Sequence, residues 1–216
     1  MFHGRKISFL WLLCLCLFVT FVFFGIQPAM GDAYIDFAIY PWDITHVSGI
    51  FLGSFLHASL AHFMGNMVSL FFLSLLFFIQ FPTQWFRFWL IQWPISSILL
   101  FFLGIPGSAH IGSSIWIYSF ASFLITTGIV HRNKQSLSIM FMVLLWFGGF
   151  FWGLLPIDPE VSWQGHISGA IVGLLLALTL GLRWNPRQSS TEFQKAEGNE
   201  IIKSGSDLDI YKQFED

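Results

Sequence analysis

The sequence predicts an all-α membrane protein in which six apolar segments each form a helix that crosses the bilayer. Of its 216 residues, 55% are hydrophobic and only 10% are charged. The mean hydropathy is +0.69, and the chain contains 27 Phe and 10 Trp. An ordinary soluble domain carries about 25% charged residues, so this composition excludes that class.

Six apolar stretches have the length that a spanning helix needs. About 20 residues cross roughly 30 Å of hydrocarbon, and a helix satisfies its own backbone hydrogen bonds there. The stretches cover residues 7–25, 61–79, 85–103, 112–130, 137–155 and 163–182. We therefore expect one membrane domain over residues 1–184. Residues 185–216 are polar and lack periodicity, which predicts a flexible cytoplasmic tail.

The distribution of basic residues predicts the orientation of the chain. With six spans, all ten Lys and Arg residues fall on one side of the membrane, which by the positive-inside rule is the cytoplasm. Both termini are therefore expected in the cytoplasm. The net charge of −2 and the absence of a basic patch give no reason to expect nucleic-acid binding.

The first apolar stretch has an alternative interpretation as a cleaved secretory signal. Arg5 and Lys6 precede the stretch, and small residues follow it at 29–33, as in such signals. The stretch is long for a signal, however, and its removal would leave an odd number of spans. We therefore expect it to remain as the first membrane helix.

Three groups of polar residues occur in or next to apolar segments, where an unsatisfied polar group costs several kcal/mol. They are His57, His62 and Asn66 around the start of the second segment, Gly112-Ser113-Ser114 at the start of the fourth, and His166 in the sixth. Such costly residues indicate a function.

Serine and histidine together are typical of acyl transfer. A neutral imidazole such as that of His166 can accept a hydroxyl proton as a general base. The backbone N–H groups around Ser114 lie at a helix N-terminus, where they are free to bind an oxyanion. His62 and Asn66 are four residues apart on one helix face and can donate hydrogen bonds to developing negative charge.

Each group also has a structural interpretation. Gly112 and the two serines are small residues of the kind that line helix contacts in membranes. The spacing of Gly169 and Gly173 likewise predicts close approach of a second helix backbone. His166 alone is equally compatible with a structural hydrogen bond.

A metal site is a weaker interpretation of the histidines. His57 and His62 are possible ligands, but a spacing of five places them on different faces of a helix, and the chain has no His-Glu pair. We therefore expect no metal and no cofactor. The sequence identifies no partner for the remaining histidines, which are His3, His46, His110 and His131.

In order and spacing, the polar residues resemble the rhomboid family of intramembrane serine proteases over about residues 7–182. The residues that carry the resemblance are His57, His62, Asn66, Gly112, Ser114, Tyr118, His166, Gly169 and Gly173. The resemblance implies a six-helix rhomboid-like bundle in a bacterial inner membrane. It also implies that residues 26–60 form a half-embedded loop and that the fifth span, with residues 156–162, gates substrate entry.

The same resemblance implies a role for each site residue. Ser114 would be the nucleophile and His166 the general base, with Tyr118 stacked on His166. His62, Asn66 and backbone N–H groups would form the oxyanion hole. One departure is Ile115, which follows Ser114 where the family usually has glycine.

Three functions remain open at this stage. The first is an endopeptidase that cleaves transmembrane segments of single-span proteins. The second is a rhomboid-like pseudoprotease that binds membrane helices without cleavage. The third, a small-solute transporter, is disfavoured by the absence of internal repeats and by the scarcity of intramembrane charge. The sequence does not predict the oligomeric state.

Overall fold

The computed structural model describes residues 2–158 and 160–184, and in this part of the chain it is helical and contains no strand. The predicted all-α membrane fold is confirmed. The expected tail over residues 185–216 lies outside the described residues. The α-helices are α1 (Phe2–Phe21), α2 (Gln27–Met30), α3 (Gly49–Leu52), α4 (Leu60–Gln80), α5 (Trp85–Leu103), α6 (Ser114–His131), α7 (Lys134–Phe147) and α8 (Trp163–Leu176).

Five helical segments of the described residues are long and apolar enough to cross a membrane. They are Phe9–Phe37, Leu60–Gln80, Trp85–Leu103, Ser114–His131 and Trp163–Gly181. The last four agree with the predicted spans to within two residues. The first extends well beyond its predicted end at residue 25, because a π-helical turn, α2 and a 3₁₀ helix continue it.

The predicted fifth span over residues 137–155 is not one α-helix. Helix α7 ends at Phe147 after 14 residues, and a 3₁₀ segment, Gly148–Leu154, continues it. The physical reason is the Gly148-Gly149 pair at the junction. Each glycine lowers α-helix stability by about 1 kcal/mol relative to alanine, so the pair favours a change of backbone conformation here.

Helices α6 and α8 pack with their backbones nearly in contact. A Cβ added at Gly169 would overlap the carbonyl of Ile115, and one added at Gly173 would overlap the carbonyl of Ser119. The close approach predicted from the spacing of these two glycines is therefore confirmed. This contact brings the start of α8 beside the start of α6.

An aromatic cluster joins α4, α5 and α6 in the interior of the bundle. Phe88 contacts Phe77, Phe120 and Phe123 with ring centroids 5.1, 4.7 and 4.6 Å apart, respectively. All four side chains are fully buried. Aromatic pairs of this kind contribute roughly 0.5–1.5 kcal/mol each beyond the area they bury, so the cluster fixes α6 relative to its neighbours.

Candidate active site

The start of α4 places two polar side chains beside the backbone that precedes α6. Ser59 caps α4, its hydroxyl accepting the N–H of His62 at 3.2 Å, so His62 lies in the first turn and Asn66 one turn later. Both approach Gly112, which has φ of 109°. A Cβ on Gly112 would lie 2.6 Å from the His62 ring and 3.2 Å from Asn66 Nδ2. Only glycine fits this position.

The Asn66 amide has an unused donor. Asn66 is only 7% exposed, and its buried Nδ2 has no hydrogen-bond partner. An unpaired buried donor is costly, so it calls for an explanation in function or bound water. The position of Nδ2 beside Gly112, two residues before Ser114, aims this donor at the start of α6.

The hydroxyl of Ser114 meets the ring of His166. Ser114 is the first residue of α6, and its Oγ lies 3.0 Å from Nε2 of His166. On the other side of the ring, Nδ1 lies 2.8 Å from the carbonyl oxygen of Gly153. A carbonyl only accepts, so Nδ1 carries the proton. Nε2 therefore presents its lone pair to the Ser114 hydroxyl.

Tyr118 and Gly153 fix the plane of this imidazole. The rings of Tyr118 and His166 stack with centroids 4.0 Å apart and an interplanar angle of 12°. A Cβ on Gly153 would overlap the Tyr118 hydroxyl and lie 3.0 Å from His166 Nδ1. Gly153 was missed by the sequence analysis, because a glycine in an apolar segment gives no signal of a carbonyl aimed at a histidine.

A second serine–histidine pair lies deeper in the protein. Ser113 Oγ is 3.4 Å from Nε2 of His57, and both residues are fully buried. The His57 ring also lies edge-on to His62 with centroids 5.1 Å apart. The expectation that these two histidines diverge is wrong, because His57 precedes α4 and does not share its helical geometry.

Residue His57 is held in place and kept neutral. The side-chain amide of Gln27 donates to the His57 carbonyl at 2.7 Å and accepts the His57 N–H at 3.0 Å. Burial, followed by the nearby His62, lowers the pKa of His57 to about 3. A neutral ring at this position leaves no buried charge beside Ser113.

Comparison with known proteins identifies the family. A model of the rhomboid domain matches residues 44–183, which contain all the polar residues described above except Gln27. The chain belongs to the rhomboid family. Uncharacterized proteins of Mycobacterium bovis and Mycobacterium tuberculosis are each 31% identical over 140 residues, covering 61% of this chain and 58% of theirs. An uncharacterized protein of Mycobacterium leprae matches equally, over 55% of its length. The chain thus spans less than two thirds of these relatives.

In this rhomboid the residue after Ser114 belongs to the core. Ile115 is 3% exposed, and its carbonyl faces Gly169. Its side chain is therefore buried within the protein. Among the described residues, no group of three or more His, Cys, Asp or Glu side chains is arranged to hold a metal ion.

Proposed function

We propose that this rhomboid is an intramembrane serine endopeptidase that cleaves transmembrane segments with a Ser114–His166 dyad. The observation that carries the proposal is the 3.0 Å contact between Ser114 Oγ and His166 Nε2. The neighbouring Ser113 is fully buried, whereas Ser114 is partly exposed. A substrate carbonyl can therefore approach Ser114 but not Ser113.

The reaction follows from the proton positions. Ser114 Oγ attacks the scissile carbonyl carbon while its proton moves to Nε2 of His166. The resulting imidazolium gives that proton to the leaving amine, and the acyl-enzyme remains on Ser114. Water then attacks the ester carbon, losing a proton to Nε2, and this proton passes to Ser114 Oγ as the bond between Oγ and the acyl carbon breaks and the carboxylic acid product leaves.

No carboxylate is needed to orient the base in this arrangement. In a soluble triad an aspartate holds the Nδ1 proton and sets the tautomer. Here the Gly153 carbonyl accepts that proton at 2.8 Å, and Tyr118 restrains the ring plane. A neutral carbonyl stabilises the imidazolium less than a carboxylate does, but it adds no charge that the membrane would penalise.

The negative charge that forms on the substrate oxygen needs donors. Asn66 Nδ2 and the His62 ring both lie next to Gly112, and α6, whose first N–H groups are free to donate, begins two residues later at Ser114. The unpaired state of Asn66 Nδ2 supports this role, because its donor is available before substrate binds.

Labelling with a serine-reactive fluorophosphonate, combined with cleavage of a single-span substrate in detergent, tests the proposal. A protease takes up the probe and releases two fragments. A folded protein that neither labels nor cleaves, yet co-purifies with a transmembrane helix, is instead a pseudoprotease. In that case the dyad has no catalytic role.

We expect Asn66→Ala to slow cleavage while retaining the fold. Removal of one oxyanion-hole donor costs roughly 2.7–4 kcal/mol in a comparable soluble hydrolase, about 10²- to 10³-fold in kcat. Rates are compared at saturating substrate, and the thermal unfolding midpoint of the variant serves as control. Parental cleavage by a folded Asn66→Ala protein would make Asn66 a structural residue.

We further propose that both termini of the chain face the cytoplasm. This orientation requires an even number of spans. The five long apolar segments are an odd number, so α7 and its 3₁₀ continuation must also cross the membrane, as the fifth span along the chain. Fourteen residues of α-helix and seven of 3₁₀ helix extend about 35 Å together, enough to cross the hydrocarbon core. The basic residues Arg132 and Lys134 between α6 and α7 then lie on the cytoplasmic side.

Cysteine labelling in intact cells checks this orientation. The chain contains only two cysteines, Cys14 and Cys16, so both are first replaced by alanine. A single cysteine at Lys134 is expected to resist a membrane-impermeant thiol reagent until the cells are lysed. One at Asp158 is expected to react in intact cells, and the reverse pattern contradicts the proposed orientation.

A further inference from the structure

The side chain of His110, to which the sequence analysis assigned no role, joins three segments around the candidate site. Its backbone pairs with Ile39 in both directions, at 2.9 and 3.0 Å. Its Nε2 lies 2.8 Å from Ser108 Oγ, and its Nδ1 lies 2.6 Å from Ser162 Oγ. His110 itself is only 5% exposed, whereas Ser108 and Ser162 are partly exposed.

The direction of each hydrogen bond in this chain follows from the chemistry. Ser108 uses its one hydroxyl proton to bond the Ile105 carbonyl at 2.6 Å. Its oxygen must therefore accept the Nε2 proton of His110. That leaves Nδ1 as an acceptor, which takes the hydroxyl proton of Ser162. Burial lowers the pKa of His110 to about 4, so the ring stays neutral and keeps this lone pair near neutral pH.

The two ends of the His110–Ser162 bond are attached to the two halves of the dyad. His110 precedes Ser114 by four residues, and Ser162 precedes His166 by four. Ser162 is also the residue before α8, and its carbonyl accepts the N–H of His166 at 3.0 Å. Its hydroxyl occupies the space that a Cβ on Gly165 would need, 2.6 Å away. The serine is thus fixed relative to the base.

We propose that His110 is a positioning residue, whose hydrogen bond to Ser162 sets the distance between the segment that carries Ser114 and the helix that carries His166. The inference rests on the proposed function of that pair. The bond joins the segment before α6 to the residue before α8, so its loss allows these two segment ends to move relative to each other. A reacting pair is sensitive to such movement, because a displacement of about 1 Å can lower the rate roughly a hundredfold.

Two substitutions of His110 separate its two hydrogen bonds. His110→Asn places Oδ1 at the position of Nδ1 and can still accept from Ser162, whereas His110→Gln places its amide near Nε2 and retains only Ser108. We expect His110→Gln and Ser162→Ala to lower kcat and the rate constant of fluorophosphonate labelling by about ten- to hundredfold, with KM nearly unchanged. His110→Asn and Ser162→Thr should retain most of the parental rate. Ser108→Ala removes only the other hydrogen bond of His110 and is therefore the matched control, which should also stay close to the parental rate.

The outcomes distinguish this inference from the proposed function. If the parent labels at Ser114 and the folded His110→Gln protein labels equally fast, the positioning role is wrong. Equal losses in His110→Asn and His110→Gln, or a loss confined to KM, also overturn it. A parent that neither labels nor cleaves removes the proposed function, and this inference with it. If His110→Gln does not fold, Ser162→Ala compared with Ser162→Thr decides the question.

Discussion

Replacing Ser114 by alanine is expected to abolish both cleavage and fluorophosphonate labelling. The substitution removes the hydroxyl that lies 3.0 Å from His166 Nε2, and with it the proposed nucleophile. Loss of a nucleophilic serine in a soluble serine protease lowers kcat about a million-fold. His166→Ala should have nearly the same effect on cleavage, because the two residues act as one unit.

The neighbouring serine provides the matched control for this experiment. Ser113→Ala removes a hydroxyl one residue away, whose nearest histidine is His57 at 3.4 Å. Because Ser113 is fully buried, we expect substantial activity and labelling to remain. The assignment of the nucleophile is wrong if the folded Ser114→Ala protein still labels while Ser113→Ala does not.

A single methyl group at Gly153 is expected to lower activity by at least about a hundredfold. The added Cβ of Gly153→Ala would overlap the Tyr118 hydroxyl and approach His166 Nδ1. Either the 3₁₀ segment or the Tyr118 ring must move, and both orient the imidazole. The measurement is kcat for a single-span substrate, with the thermal unfolding midpoint of the variant as control.

Gly149→Ala is the control, since it lies in the same 3₁₀ segment and an added Cβ there meets nothing within 4 Å. We expect this variant to cleave at close to the parental rate. If Gly149→Ala and Gly153→Ala lose activity equally, glycine is needed for the backbone of the segment, and the contact with Tyr118 and His166 is not the cause.

The amino-acid sequence was sufficient to predict the fold class and the family. Long apolar stretches with few charges leave only membrane helices as a solution, because lipid offers no partner for a free backbone group. The order of His62, Asn66, Ser114 and His166 along these stretches carried the resemblance to rhomboids, and family membership is confirmed. The roles of these four residues stay predictions that the variants above test.

Other features depend on contacts between segments that are distant in sequence. Gly153 and His110 gave no signal, because a backbone carbonyl or a neutral imidazole acquires a role only from the groups it faces. His57 and His62 meet although helical spacing separates them, since the helix begins only at Leu60. The end of α7 at Phe147 has instead a local cause, the Gly148-Gly149 pair, which hydropathy averaged over a window does not register. Sequence patterns report what each segment is made of, whereas the orientation of a catalytic base is determined by which segments the tertiary structure brings within hydrogen-bonding distance.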